Sequence, residues 1–354
     1  MKHFFLIFCS ISLLSLIWAK RLTPRENKIL KANCGRYVEG FTSLSGLKKE
    51  ASEEWKALYG KEVKIGEAPW AVSLTMKKRT MGGKRVEDQY VQHGTGTLIS
   101  PWHIVTAAHL IGISEDPLPD CETGKLKKAH FLRDFKDFVA FVNVTCAVPE
   151  MCEGLRRRDQ FKPFDIEALY IRQGYVGDGC YNRESFNDIA VFELKEPVEF
   201  SRSIFPACLP SSAKSPAMGA SGYKLYGYGR DPADKQLESG KLKALVSTVA
   251  ECSESFLYEG LFCTTAENRG LSCDGDSGSG VVRTSDTRNV EELVGVLSAG
   301  MPCPELYMQH NQEKRLRKML TRETDLLVDV ASHLEFFCKC CGICNGGARA
   351  GAQG

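Results

Sequence analysis

The chain has 354 residues, a formal net charge of +2, 25% charged residues and fifteen cysteines. So near-neutral a balance gives no reason to expect nucleic acid or a membrane surface as partner. The cysteine content argues for an oxidising compartment and for disulfides over zinc, because the Cys338 to Cys344 cluster has no second Cys/His group at finger spacing. No metal or cofactor is expected.

In chain order, residues 1–19 read as a secretory signal: Lys2, an apolar run from Phe4 to Trp18, and Ala19 as the cleavage position. The run is short of the roughly 20 residues a membrane span needs, and nothing later is a span. The protein is therefore expected to be secreted. Residues 20–56 are charged and poor in apolar side chains, which suits a propeptide; a disordered arm is the bland alternative. Residues 57–344 can bury a full core as one domain, and strand-like runs separated by Gly, Pro and Asp turns give an all-β reading. Residues 345–354 are Gly/Ala-rich and are expected to form a mobile tail.

Three segments carry chemistry. Thr106-Ala107-Ala108-His109 follows an apolar run, Asn187-Asp188-Ile189-Ala190 opens a second, and Cys273-Asp274-Gly275-Asp276-Ser277-Gly278 precedes a third. A serine hydroxyl is too weak an acid to attack a carbonyl unaided. It needs an imidazole to take its proton and a carboxylate to orient that imidazole. Ser277 is thus expected to be the nucleophile, His109 the general base and then acid, and Asp188 the residue that orients His109. Each alone has an ordinary structural reading; the three in this order separate the chain from subtilisin and α/β-hydrolase arrangements.

With Cys273, Gly275 and Asp276 flanking the serine, the chain resembles the chymotrypsin/trypsin-like serine proteases from about Ala57 to Phe337. The closing Phe337-Cys338 to Cys344 is similar to the tail of a nematode branch of that family. The resemblance implies two six-stranded antiparallel β-barrels, a C-terminal helix and disulfide-rich insertions. It implies a secreted serine endopeptidase made as a zymogen, acting on protein or peptide substrates, with an activating protease and protein inhibitors as possible partners. Cleavage after Lys56 would free the α-amino group of Ala57 to pair with Asp276, assembling an oxyanion hole from the Gly275 and Ser277 amides. Ala57 stands where the family usually carries isoleucine, so the inserted terminus would be held less firmly.

The resemblance also implies the bridges Cys34–Cys208, Cys252–Cys263 and Cys273–Cys303. The family's bridge beside the catalytic histidine is missing, with Gly94 and Leu110 in its place. A stapled insertion carrying Cys121, Cys146, Cys152 and Cys180 is the expected brace, with Asn143 as a glycosylation sequon. Those four cysteines and Cys338, Cys340, Cys341 and Cys344 are left unassigned. Leu271, Ser298 and Gly300 would line the specificity pocket. Apolar Leu271 in place of the trypsin aspartate points to a hydrophobic or small substrate side chain. Ala299 removes an aromatic wall, and Lys314 to Lys318 is a basic run read as a solvated face. Leu326, Leu327, Val330, Leu334 and Phe337, at helical spacing, predict a last helix from about Leu326 to Phe337. The rival reading is a catalytically silent homologue acting as an extracellular binding protein. Ala57, Ala299 and the missing bridge favour it, and the complete triad opposes it.

Overall fold

The computed structural model describes residues 20–36, 60–79, 85–112, 133–149, 161–172, 187–230, 240–252, 259–266, 272–300 and 324–345. The signal segment, Lys56, Ala57, Leu271, Cys303, the basic run at 314–318 and Cys121, Cys152 and Cys180 lie outside them. Among the described residues, no helix is long and apolar enough to cross a membrane.

Six antiparallel strands close the first barrel: β2 (Ala71–Arg79), β3 (Arg85–Leu98), β4 (His103–Thr106), β5 (Phe138–Val142), β6 (Phe164–Ile171) and β7 (Ala190–Leu194), in the order β2-β3-β4-β7-β6-β5. The second barrel comprises β8 (Tyr223–Gly227), β9 (Lys243–Ala250), β10 (Leu261–Ala266), β11 (Gly280–Thr284), β12 (Glu291–Ala299) and β13 (Asp325–Asp329), closed by pairing of β11 with β8 and of β8 with β9. A two-residue strand, β1 (Lys61–Glu62), adds to β9. Closure removes the unpaired edges that would otherwise invite association. Alternating burial along β6 marks a strand with one face on the barrel core. Every residue of β4 and of β7 is buried, because the outer face of this pair is also covered.

An N-terminal arm forms part of that cover. Thr23 caps helix α1 (Pro24–Asn33): its side chain accepts from Glu26 N, the Glu26 side chain accepts from Thr23 N, and Pro24 occupies the first turn. Residues 20–36 are therefore built into the fold and are not the disordered arm that composition allowed. Leu22 N donates to Cys341 O at 2.8 Å, and Asn27 Nδ2 to Cys344 O at 3.0 Å. The contact needs a glycine at position 342. Gly342 has φ 72°, ends the last helix, and a Cβ there would lie 2.4 Å from Leu22 O.

The expected helix from about Leu326 is corrected. Asp325–Asp329 is strand β13, Val330–His333 is a 3-10 turn, and the helix α2 runs Leu334–Cys341. Lying between β10 and β12, β13 is buried at every position, which erases the alternation that would have marked it as a strand.

Cys34 is bonded to Cys208, Cys252 to Cys263 and Cys338 to Cys344. Cys146 and Cys273 are also disulfide-bonded.

Candidate active site

His109 lies on the 3-10 turn Ala108–Leu110 directly after β4, and Asp188 lies just before β7. Pairing of Thr106 with Ala190 brings both to one end of the first barrel. Asp188 Oδ2 accepts from His109 Nδ1 at 2.7 Å, and Oδ1 accepts from the His109 amide at 2.8 Å. With its Nδ1 proton committed to the carboxylate, the imidazole presents Nε2 as a base. Ser298 Oγ donates to Asp188 Oδ2 at 2.6 Å. Burial pushes the Asp188 carboxyl up, but the imidazole and the His109 and Ser298 donors outweigh it and hold the group below its ordinary range. Ser298, expected only in the pocket wall, thus supports the triad carboxylate.

The Ser277 loop precedes β11. Thr95 N donates to Ser277 O at 2.9 Å, and Gly278 N to Leu297 O at 2.9 Å, tying the loop to both barrels. Gly278 has φ 81°, and a Cβ there would fall 2.1 Å from Thr106 Oγ1 and 2.9 Å from Ala107 N. Glycine at this position therefore lets the serine loop lie directly on the backbone that leads into His109. The Asp276 and Ser279 amides are spent on internal bonds, to Cys273 O and Asp276 O. Among the described residues, the amides of Gly275 and Ser277 have no backbone acceptor. Gly275, at φ 96°, sits over the Gln92 amide, where a Cβ would be 2.2 Å from Nε2. Gln92 itself is clamped between Tyr228 O and Gly240 N. Sequence reading missed Gln92 because its role comes wholly from tertiary contact.

Asp276 is buried, its Oδ1 accepting from Gly229 N at 2.6 Å and its Oδ2 from Cys273 N at 2.9 Å. Burial pushes its carboxyl up to about 6. A small cavity lies beside it, lined in part by Gly227, Gly229, Lys243 and Leu245.

Beside Gly300, expected to line the specificity pocket, the structure adds a residue that sequence reading did not single out. Asp325, at the start of β13, is 3% exposed and accepts from Ser272 Oγ at 2.5 Å. A Cβ on Gly300 would lie 2.4 Å from Ser272 Oγ and 3.0 Å from Asp325 Oδ1, so only a glycine leaves this carboxylate open on that side. Burial, then the neighbouring Asp276, pushes Asp325 up to about 7. The apolar expectation rested on Leu271, outside the described residues; a buried carboxylate now stands beside Gly300.

Asn143 follows β5 with φ 59°, half-buried, its Oδ1 sealed from solvent without a partner.

Two closed barrels with a His–Asp pair and a glycine-framed serine loop between them define a chymotrypsin/trypsin-like architecture. Comparison with known proteins supports that family of serine proteases, to whose members the chain is similar. The family model described as Trypsin matches residues 152–310, a span that includes Asp188 and Ser277. The "Trypsin-like protease try-5" of Caenorhabditis elegans is 26% identical over 256 residues, covering 68% of this chain and 75% of that protein. "Phenoloxidase-activating factor 3" of Holotrichia diomphalia is 25% identical over 261 residues, covering 71% of this chain and 67% of that protein.

Proposed function

We propose that this protein is a secreted serine endopeptidase that works through an acyl-enzyme, made as a zymogen and activated by cleavage after Lys56. The observation that carries the reading is the His109–Asp188 pair, buttressed by Ser298 and abutted by the Ser277 loop. Ser277 Oγ attacks the scissile carbonyl as its proton passes to His109 Nε2. The Gly275 and Ser277 amides take the developing oxyanion. His109 then returns the proton to the leaving amine, and water deacylates the enzyme.

The zymogen reading draws support from Asp276. A buried carboxylate with a cavity beside it suits an incoming cation, since pairing offsets the cost of burying the charge. Gly60 leads into β1, where Glu62 pairs with Lys243, a residue lining that cavity. Ala57 stands three residues upstream of Gly60, about 10 Å of extended chain. We read the side-chain preference from Asp325: a basic substrate group would find an anionic partner beside Ser272 and Gly300.

A fluorophosphonate probe tests the activity. Labelling of the Lys56-cleaved protein that disappears in Ser277→Ala supports the enzyme. A cleaved, folded protein that stays unlabelled supports the silent binding homologue.

A further inference from the structure

On the outer face of the first barrel lies another buried carboxylate, remote in sequence from the activation loop. Glu193 of β7 is 1% exposed and stands directly opposite His103 of β4. Its Oε2 accepts from Tyr170 Oη at 2.8 Å and from the backbone N of Lys20 at 2.8 Å. Its Oε1 is buried with no hydrogen-bond partner.

The neighbours leave Oε1 without a donor. Ser100 Oγ accepts from the Trp102 and His103 amides, so its own proton goes to His103 Nδ1. His103 Nε2 is therefore the protonated nitrogen, yet it lies 3.9 Å from Glu193 Oε2, too far for a hydrogen bond. Burial holds His103 down at about 3, leaving it neutral, and pushes Glu193 up. The other titratable groups around the cluster are Glu167 and Tyr170 of β6, and the Cys340 and Cys341 thiols of α2. The Lys20 ammonium acts on Glu193 through space, which lowers the carboxyl somewhat, but its donors go elsewhere: Nζ lies 4.3 Å over the Trp102 ring and donates to Leu194 O at 3.2 Å and Lys195 O at 2.5 Å.

We propose that Glu193 is a binding site for an α-ammonium group, and that its ligand is the chain's own terminus at Lys20, exposed when the leader is removed after Ala19. Hydrolysis of the Ala19–Lys20 bond consumes one water, leaving a carboxylate on Ala19 and an ammonium on Lys20. The peptide amide offers Glu193 one neutral N–H. The ammonium offers three donors and a full charge at the same position, enough to reach Oε1 and neutralise the carboxylate. The rest of the arm holds that position: Leu22 is bonded to Cys341 O, Thr23 caps α1, and Cys34 is bonded to Cys208. Leader removal, separate from cleavage at Lys56, thereby completes the first barrel.

This inference rests on the leader reading of residues 1–19 and is independent of the protease reading. The test uses the secreted full chain. Terminal peptide mapping is expected to find Lys20 first. Acetylation by an N-hydroxysuccinimide ester near pH 7, read on that terminal peptide, is expected to be at least about tenfold slower in the native protein than in urea. A Gly-Ser insertion between Ala19 and Lys20, left on the mature chain, is expected to lower Tm by about 5 °C. In Glu193→Gln the same insertion is expected to cost no further stability. A different mature terminus, equal native and denatured acetylation, or an unchanged Tm on insertion would each overturn the proposal. Should Glu193→Gln fail to accumulate, acetylation of the unaltered protein decides alone.

Discussion

Leu110 fills the space beside Gly94: a Cβ on that glycine would lie 2.6 Å from Leu110 Cδ1 and 3.0 Å from Ser277 O. These two positions stand where the family places a disulfide beside its histidine. A leucine packed onto a glycine thus occupies the place of the covalent link. Donation from His93 Nε2 to Leu110 O at 2.9 Å, and from Arg133 Nη1 to the same oxygen at 3.2 Å, holds the turn further. The missing bridge therefore does not by itself favour a silent homologue.

Leu110→Ala should destabilise the protein by about 2–4 kcal/mol, the cost of a buried leucine and the cavity it leaves. Because His109 shares the turn, kcat should fall more than KM changes. Urea unfolding and steady-state kinetics on one preparation check both.

Ser298→Ala removes the 2.6 Å donor to Asp188 and should cost about 1–3 kcal/mol. The folded Asp188 carboxyl lies below its unfolded value. Its stabilising contribution is present above the unfolded value and is lost as pH falls through the folded one. Without Ser298 Oγ the folded value rises, so the loss of stability on acidification should set in at higher pH in the variant, read by thermal unfolding across acid pH.

Asp325 carries the opposite sign. Its folded value, about 7, lies above the ordinary 3.8, so its contribution favours the fold at low pH and fades as pH rises toward 7. Asp325→Asn should therefore gain stability over wild type progressively as pH rises from 4, reaching the order of 4 kcal/mol by pH 7 to 8. Thermal unfolding across that range measures it. The same variant should lose preference for Lys or Arg substrates relative to neutral ones in a peptide-library digest.

The arm should remain attached after activation, because Cys34–Cys208 spans the cleavage point. On a gel, protein cleaved after Lys56 should run as one band without reductant and release the arm with it. Replacing both cysteines by alanine should shed the arm and cost about 2–5 kcal/mol.

The His109–Asp188 pair was legible because short local strings around His109 and Asp188, with a third around Ser277, carry the chemistry proposed here. The cap of α1 was equally local, in Thr23-Pro24-Arg25-Glu26, yet composition alone reads that stretch only as charged and poor in apolar side chains. Asp325 was not legible: it meets Ser272 across 53 residues, and no local pattern marks an aspartate at a strand start as a pocket wall. Strand β13 was hidden for a different reason, because burial on both faces leaves an apolar run without strand alternation. Glu193 sits in an unremarkable strand sequence, and only the arm packed across it reveals its partner.

The most direct test is hydrolysis of a peptide library by protein cleaved after Lys56, with cleaved Ser277→Ala alongside. The account predicts turnover by the unaltered enzyme and a loss of at least about a thousandfold in the variant. Equal rates in the two, or no turnover by a folded, cleaved protein, would contradict it.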